Sequence, residues 1–189
     1  MRYDPRIHIQ ECEQVYPPRE DTFLLLDCVS EVEGKRVLDM GCGTGIIALH
    51  CALAGAEVTA VDINPYAVSC AKENAERNGL EVKVIHSDLF LDVEGCFDLI
   101  VFNPPYLPGD DKEDLKRSWA GGEGGIQVLE RFLTEAPEHL AKGGGMLVLL
   151  SDAMHEAPLT CILSQYRRER LASRKLFFEE LWVERLRLP

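Results

Sequence analysis

Apolar runs of strand length alternate with amphipathic stretches of helix length along most of this chain, and no other feature restricts its fold as much. The runs are RVLDMG (36–41), EVTAVDI (57–63), VKVIHSDL (82–89), FDLIVFN (97–103) and MLVLLSD (146–152), with a last pair near 171–176 and 181–188. Helical patterns fall between them at about 20–32, 45–54, 65–78, 126–141 and 156–169. Strands separated by helices pair in parallel, because a crossover of that length returns the chain to the same edge of the sheet. The order therefore predicts an α/β fold, a parallel sheet with helices on both faces. In DINPYAVSCAKENAERNG, Asn64 suits an N-cap, Pro65 the first turn and Gly79 the C-terminal stop. In REDTFLLLDCVSEV, Asp21 or Thr22 is expected to cap a helix whose apolar face includes Leu25, Cys28, Val29 and Val32. The long irregular stretch 106–125, with GDDKEDLKRSWAGGEGG, reads as a lid, a binding loop or disorder.

A chain of 189 residues fits one domain, 1–189, with a full-sized core. No apolar run is long enough to cross a bilayer, and MRYDPRIHIQ lacks the layout of a signal peptide, so a cytoplasmic location is expected. Seven cysteines stand at 12, 28, 42, 51, 70, 96 and 161, with no C-x-x-C pair. Most lie in apolar periodic segments, where a thiol acts as a small hydrophobe, so structural thiols and no metal site are expected. A net charge of −12 argues against a sequence-tolerant grip on nucleic acid, whose affinity comes from phosphate neutralisation. The basic cluster RRERLASRK (167–175) reads as a solvated helix end meeting the next strand.

LDMGCGTG follows a strand and opens a helix, which faces backbone N–H groups towards a ligand. Glycines 41, 43 and 45 allow a tight turn and close approach. A dinucleotide fingerprint would place a third small residue at 46, where Ile46 stands. Asp39, just before the first glycine, also fits a cationic ligand better than a pyrophosphate. Asp62 ends the second strand, where an acid can accept both hydroxyls of a ribose. Asp88 ends the third, where an acid could hydrogen-bond an adenine amino group.

FNPPYLPG (102–109) ends a buried strand with an amide, two prolines and a phenol. Asn103 and Pro104 both precede prolines and are held extended, and neither proline has an N–H to fold the chain back. The Asn103 side-chain oxygen and the Pro104 carbonyl are thus expected to stand out as fixed acceptors. Two such acceptors suit a nitrogen carrying two hydrogens, with the ring of Tyr106 packed beside its plane. Pro105 completes the stiff rim.

The glycine turn and the following acids resemble the class I S-adenosylmethionine-dependent methyltransferases, which implies a Rossmann-like, seven-stranded sheet, mostly parallel with its last strand antiparallel. N-P-P-Y occurs in methyltransferases acting on adenine N6, guanine N2 and glutamine N5. VYPPREDTFLLLD (15–27) and SWAGGEGGIQVLERF (118–132) resemble the short archaeal and eukaryotic release-factor branch of the HemK family. That resemblance implies N5-methylation of the glutamine in the Gly-Gly-Gln loop of a class I peptide-chain release factor. It also implies that Thr22, in an N-terminal segment (1–34) closing the cofactor site, covers the methionine end of S-adenosyl-L-methionine. Asp39 and Gly41 line the amino-acid part, Asp62 with Ile63 the ribose, Asp88 and Leu89 the adenine, and Asn103 meets the substrate amide. The resemblance implies that Trp119 belongs to a substrate lid; the alternative is that it plugs the core. The helical N-terminal domain of bacterial members is expected to be absent, and a small zinc-binding activator is the implied partner in a heterodimer. EVKVIHSDL should lie at the sheet edge, with Val82 and Val84 beside unpaired backbone that invites a partner. A nucleic-acid methyltransferase and a catalytically silent cofactor-binding scaffold are the alternatives.

Overall fold

The computed structural model describes residues 1–105, 122–152, 154, 156–177 and 179–189. Its elements run α1 (Glu20–Cys28), β1 (Arg36–Met40), α2 (Ile46–Leu53), β2 (Glu57–Asp62), α3 (Pro65–Asn78), β3 (Lys83–His86), β4 (Phe97–Phe102), α4 (Gly122–Glu135), β5 (Leu140–Ser151), α5 (Glu156–Leu163), β6 (Arg167–Lys175) and β7 (Glu180–Arg187). These strands form one sheet in the order β3-β2-β1-β4-β5-β7-β6. Pairing is parallel from β3 through β5. The last strand, β7, runs antiparallel to both β5 and β6. Val37, Leu38, Ile100, Val101 and the run Met146–Leu149 are almost wholly buried, as expected of strands covered on both faces. No helix of the described residues is long and apolar enough to cross a membrane.

Three boundaries depart from the sequence reading, each for a local reason. Helix α1 starts at Glu20 with Arg19 as its N-cap, so Asp21 and Thr22 lie in the first turn instead of capping it. Pro17 and Pro18 hold the chain extended up to that point, and the helix begins once they end. It stops at Cys28, because Val29 is already extended (φ −70°, ψ 130°), and Glu31 beyond it is left-handed (φ 54°). The basic cluster 167–175 is strand β6, not a helix end. Its arginines find partners across the ladder: Arg168 donates two bonds of 2.7 Å to the buried carboxylate of Glu184, and Arg170 lies over the Trp182 ring at 4.6 Å. Finally, α4 begins at Gly122, inside the stretch read as irregular; the remainder of that stretch lies outside the described residues.

Cysteines 12 and 70 form a disulfide, contrary to the reading of the cysteines as thiols. Their wide separation in sequence gives no sign of it. The reason is the path of residues 8–12, which run as an extended strap along α3 until a turn at 12–15 with Gln14 at φ 63°. His8 N–H donates to Asn78 Oδ1 at 2.8 Å and Asn78 Nδ2 returns a bond to His8 O at 2.9 Å. Gln10 makes the same exchange with Asn74, at 2.9 and 3.0 Å. Further along, Asn64 Nδ2 donates to Gln14 O at 2.8 Å. Two extended residues advance about 6.7 Å and four helical residues about 6 Å. Positions 8, 10 and 12 therefore stay in step with 78, 74 and 70. As expected, Asn64 caps α3 by accepting from Tyr66 N–H at 3.0 Å, and Gly79 ends it in the left-handed region.

Candidate functional site

The C-terminal ends of β1, β2 and β4, the turn after β3, and the strap with α1 enclose one cleft of about 240 Å³. Open α/β sheets bind ligands at this end of their strands. Of the residues singled out in the sequence, Thr22, Asp39, Gly41 and Gly43 line it from one side. Asp62, Ile63, Asp88 and Leu89 line its far end, and Asn103, Pro104 and Pro105 its mouth. Gly45 does not line it. That glycine caps α2 at φ 81°, and a Cβ there would stand 3.1 Å from the Ala71 side chain. It sets how closely α2 and α3 pack and leaves the ligand to its neighbours. Tyr106 and Trp119 lie outside the described residues.

Four acids face the cleft, and its described lining contains no lysine, arginine or histidine. Asp39 is 3% exposed and accepts the Ala48 N–H at 3.0 Å. Burial pushes its carboxyl up to about 7; the Ala48 N–H opposes that shift and nearby Asp62 adds to it. Asp62 is also raised by burial, against the N–H bonds it accepts from Asn64 (2.8 Å) and Gly43 (2.9 Å). Each Asp62 oxygen accepts one of these bonds and keeps a lone pair for a ligand hydroxyl. Asp88 is half-exposed and paired with Arg131 of α4 at 3.1 Å. Beside it Ser87 holds the turn, donating to Leu89 O and accepting from Asp92 N–H, both at 3.0 Å. Leu89 takes φ 50° there, a conformation unusual for a branched side chain. A cleft so lined selects a cation carrying hydroxyls and repels a polyphosphate.

At the mouth, the structure contains a residue that the sequence reading missed as part of the site. Asp21 is 3% exposed, and its Oδ2 accepts from Asn103 Nδ2 at 3.0 Å and from the Tyr16 phenol at 3.2 Å. Burial and this carboxylate push the Tyr16 phenol up, so it remains a donor. With its NH2 held by Asp21, the Asn103 carboxamide presents Oδ1, which is buried and has no hydrogen-bond partner among the described residues. Leaving such an oxygen unpaired costs about 1–3 kcal/mol, and the expense is understandable where a ligand donor completes the bond. Asp21 was hidden in the sequence because an acid in a helix's first turn looks like helix stabilisation alone. The buried Thr22 beside it receives the Arg19 N–H at 3.4 Å and donates to Asp21 Oδ1 at 3.2 Å, so one acid, Asp21, joins the Thr22 hydroxyl, the Tyr16 phenol and the Asn103 amide in one network.

Residues 20–169 match the methyltransferase small domain family. A chain of Methanocaldococcus jannaschii, provisionally named a protein N5-glutamine methyltransferase, is 45% identical over 177 residues, covering 90% of each chain. The Mtq2–Trm112 complex of E. cuniculi, responsible for the methylation of the eRF1 translation termination factor, contains a chain with the same fold. It superposes at a TM-score of 0.73 with 25% identity, over 93% of this chain and 99% of that one. A 16S rRNA guanine-N2 methyltransferase of T. thermophilus, solved with AdoMet and guanosine, superposes at 0.69 with 25% identity, over 90% of this chain but 44% of that one.

Proposed function

Because the chain belongs to the methyltransferase small domain family and, within it, to the HemK-type protein N5-glutamine methyltransferases, we propose that it transfers a methyl group from S-adenosylmethionine to the side-chain nitrogen of the glutamine in a release factor's Gly-Gly-Gln loop. The observation that carries this reading is the Asn103 carboxamide, anchored through its nitrogen by Asp21 and offering a buried, unpartnered oxygen to the cleft.

The acidic cleft fits S-adenosylmethionine. Asp39 faces the ammonium of its amino-acid part beside Gly41 and Thr22, Asp62 with Ile63 takes the ribose, and Asp88 with Leu89 frames the adenine. When bound, its sulfonium supplies an electrophilic methyl group and departs as a neutral thioether. Asn103 Oδ1 and the Pro104 carbonyl accept the two N–H bonds of the substrate amide. A planar amide nitrogen is a weak nucleophile, since its lone pair is conjugated with the carbonyl. Two fixed acceptors direct that lone pair towards the methyl group and stabilise the positive charge that develops on nitrogen. The proton surplus after transfer leaves the nitrogen for water, so no side chain of shifted pKa is required at the rim. A nucleic-acid substrate would find no basic residue in the described lining to hold its phosphates.

A small activator chain fits the same reading. Strand β3 forms one edge of the sheet, and its outward side has no strand partner among the described residues. Val82 and Val84 there are only partly buried, an edge that a partner strand can cover.

The test is single-turnover transfer to a release factor by Asn103→Ala, with cofactor affinity measured in parallel. Losing one preorganised donor–acceptor contact to a transition state costs about a hundredfold or more. We expect a fall of that size with cofactor affinity within about threefold of the parent. A variant that methylates as fast as the parent would refute the role given to Asn103.

A further inference from the structure

The far end of the cleft is built from two separate turns. One leaves β2 with Asp62 and Ile63, and the other leaves β3 with Ser87, Asp88 and Leu89. Parallel pairing sets Asp62 beside His86, the last residue of β3. Past that pair the regular ladder ends, and the alignment is carried on into the turns by further bonds. Ser87 N–H donates to Asp62 O at 3.1 Å. The Nε2 atom of the His86 ring lies 2.9 Å from Ile63 O. A carbonyl oxygen only accepts, so this Nε2 carries the proton and donates.

The sheet does not require the bond from His86. The residue is exposed at a strand end, where an imidazole is readily hydrated. Its ring instead reaches the turn of the neighbouring strand and meets the peptide of a residue that lines the cleft. Leu89 is 7% exposed and held by packing, whereas Ile63 is 56% exposed. Side-chain packing therefore does little to fix Ile63, and hydrogen bonds to its peptide matter more. A rotation of that peptide would also disturb Asp62, whose Oδ1 accepts the Asn64 N–H on its other side at 2.8 Å. His86 acts on Asp62 by charge as well. Burial raises that carboxyl, and the N–H groups of Asn64 and Gly43, followed by His86, oppose the rise.

We propose that His86 is a positioning residue for the nucleoside half of the cofactor, fixing the Ile63 peptide so that Asp62 and Ile63 are in place for ribose and base before the ligand arrives. His86 does not line the cleft itself; it acts through Ile63. Order that exists before binding is not lost again on binding, and the difference appears as affinity. A planar base set against Ile63 also removes its apolar surface from water. This inference rests on the function proposed above and adds to it a residue outside the ligand's reach.

The test measures dissociation constants by calorimetry for the parent, His86→Leu and His86→Gln, each with any co-purifying activator. Two ligands are compared, S-adenosylmethionine and methylthioadenosine, which keeps the ribose and adenine but lacks the amino-acid part. The bond faces solvent, so its loss is modest. For His86→Leu we expect both constants to rise about fivefold, with the thermal midpoint of the ligand-free protein at the parent value. Glutamine carries an amide N–H donor at about the reach of Nε2, so His86→Gln should restore both constants. The assignment would be overturned, with the functional reading intact, by any of four results. These are unchanged constants in His86→Leu, a loss confined to S-adenosylmethionine, a loss that His86→Gln does not restore, and a lowered thermal midpoint without ligand. A parent that binds neither ligand would overturn that reading and this inference with it.

Discussion

Asp39 carries an acid–base state that can be measured without any substrate. Its carboxyl, raised to about 7 by burial, keeps a proton that an unfolded chain releases near pH 4. The stability due to this group is therefore complete below about pH 4 and lost as pH rises towards 7. The slope is about 1.4 kcal/mol per pH unit over that window. Asp62 is shifted in the same direction. For the ligand-free protein we expect the thermal midpoint to fall between pH 5 and 7.5 as these acids ionise, and Asp39→Asn to flatten most of that fall. A profile unchanged by the substitution would remove Asp39 from the account. Over the same range S-adenosylmethionine should bind more tightly as pH rises, because the ionised form is the one that pairs with an ammonium. At this scale the sequence was informative where chemistry depends on one residue's own stereochemistry. The glycine turn, and the prolines that stiffen the backbone at Asn103, impose their geometry locally. Asp21 could not be read the same way, because its function lies in a partner far along the chain.

The N-terminal strap shows how an element can escape sequence reading altogether. It has no regular ladder of its own and no periodic apolar pattern; its hydrogen bonds go to asparagine side chains of α3. Yet it delivers Val15, Tyr16 and Pro18 to the cleft. Closing the loop between Cys12 and Cys70 restricts the unfolded chain by about 4 kcal/mol on the loop-entropy account. Cys12→Ser should thus lower unfolding stability by about 2–4 kcal/mol in urea under oxidising conditions. Under a thiol reductant the parent and variant should coincide. A difference that persists after reduction would place the effect elsewhere than in the disulfide. Strand β6 was misread for another reason. A run of arginines hides the two-residue alternation that marks a strand, and only Glu180, Glu184 and Trp182 of β7 explain why the strand forms.

Across the whole molecule, the alternation of strands and helices left little freedom for the fold, since parallel pairing and burial on both faces follow from it. The direction of β7 came only from resemblance, and the structure shows it in the antiparallel pairing with both β5 and β6. The acidity of the chain reaches into the cleft itself, where four carboxylates favour a cationic ligand. Which macromolecule meets the rim is a property of surface and partner that no single motif encodes. The most direct test is mass spectrometry of a release factor after incubation with this chain, S-adenosylmethionine and any co-purifying activator. We expect one added methyl group, on the side chain of the Gly-Gly-Gln glutamine and nowhere else. Methyl groups found on RNA or on other residues, with that glutamine unmodified, would contradict the account.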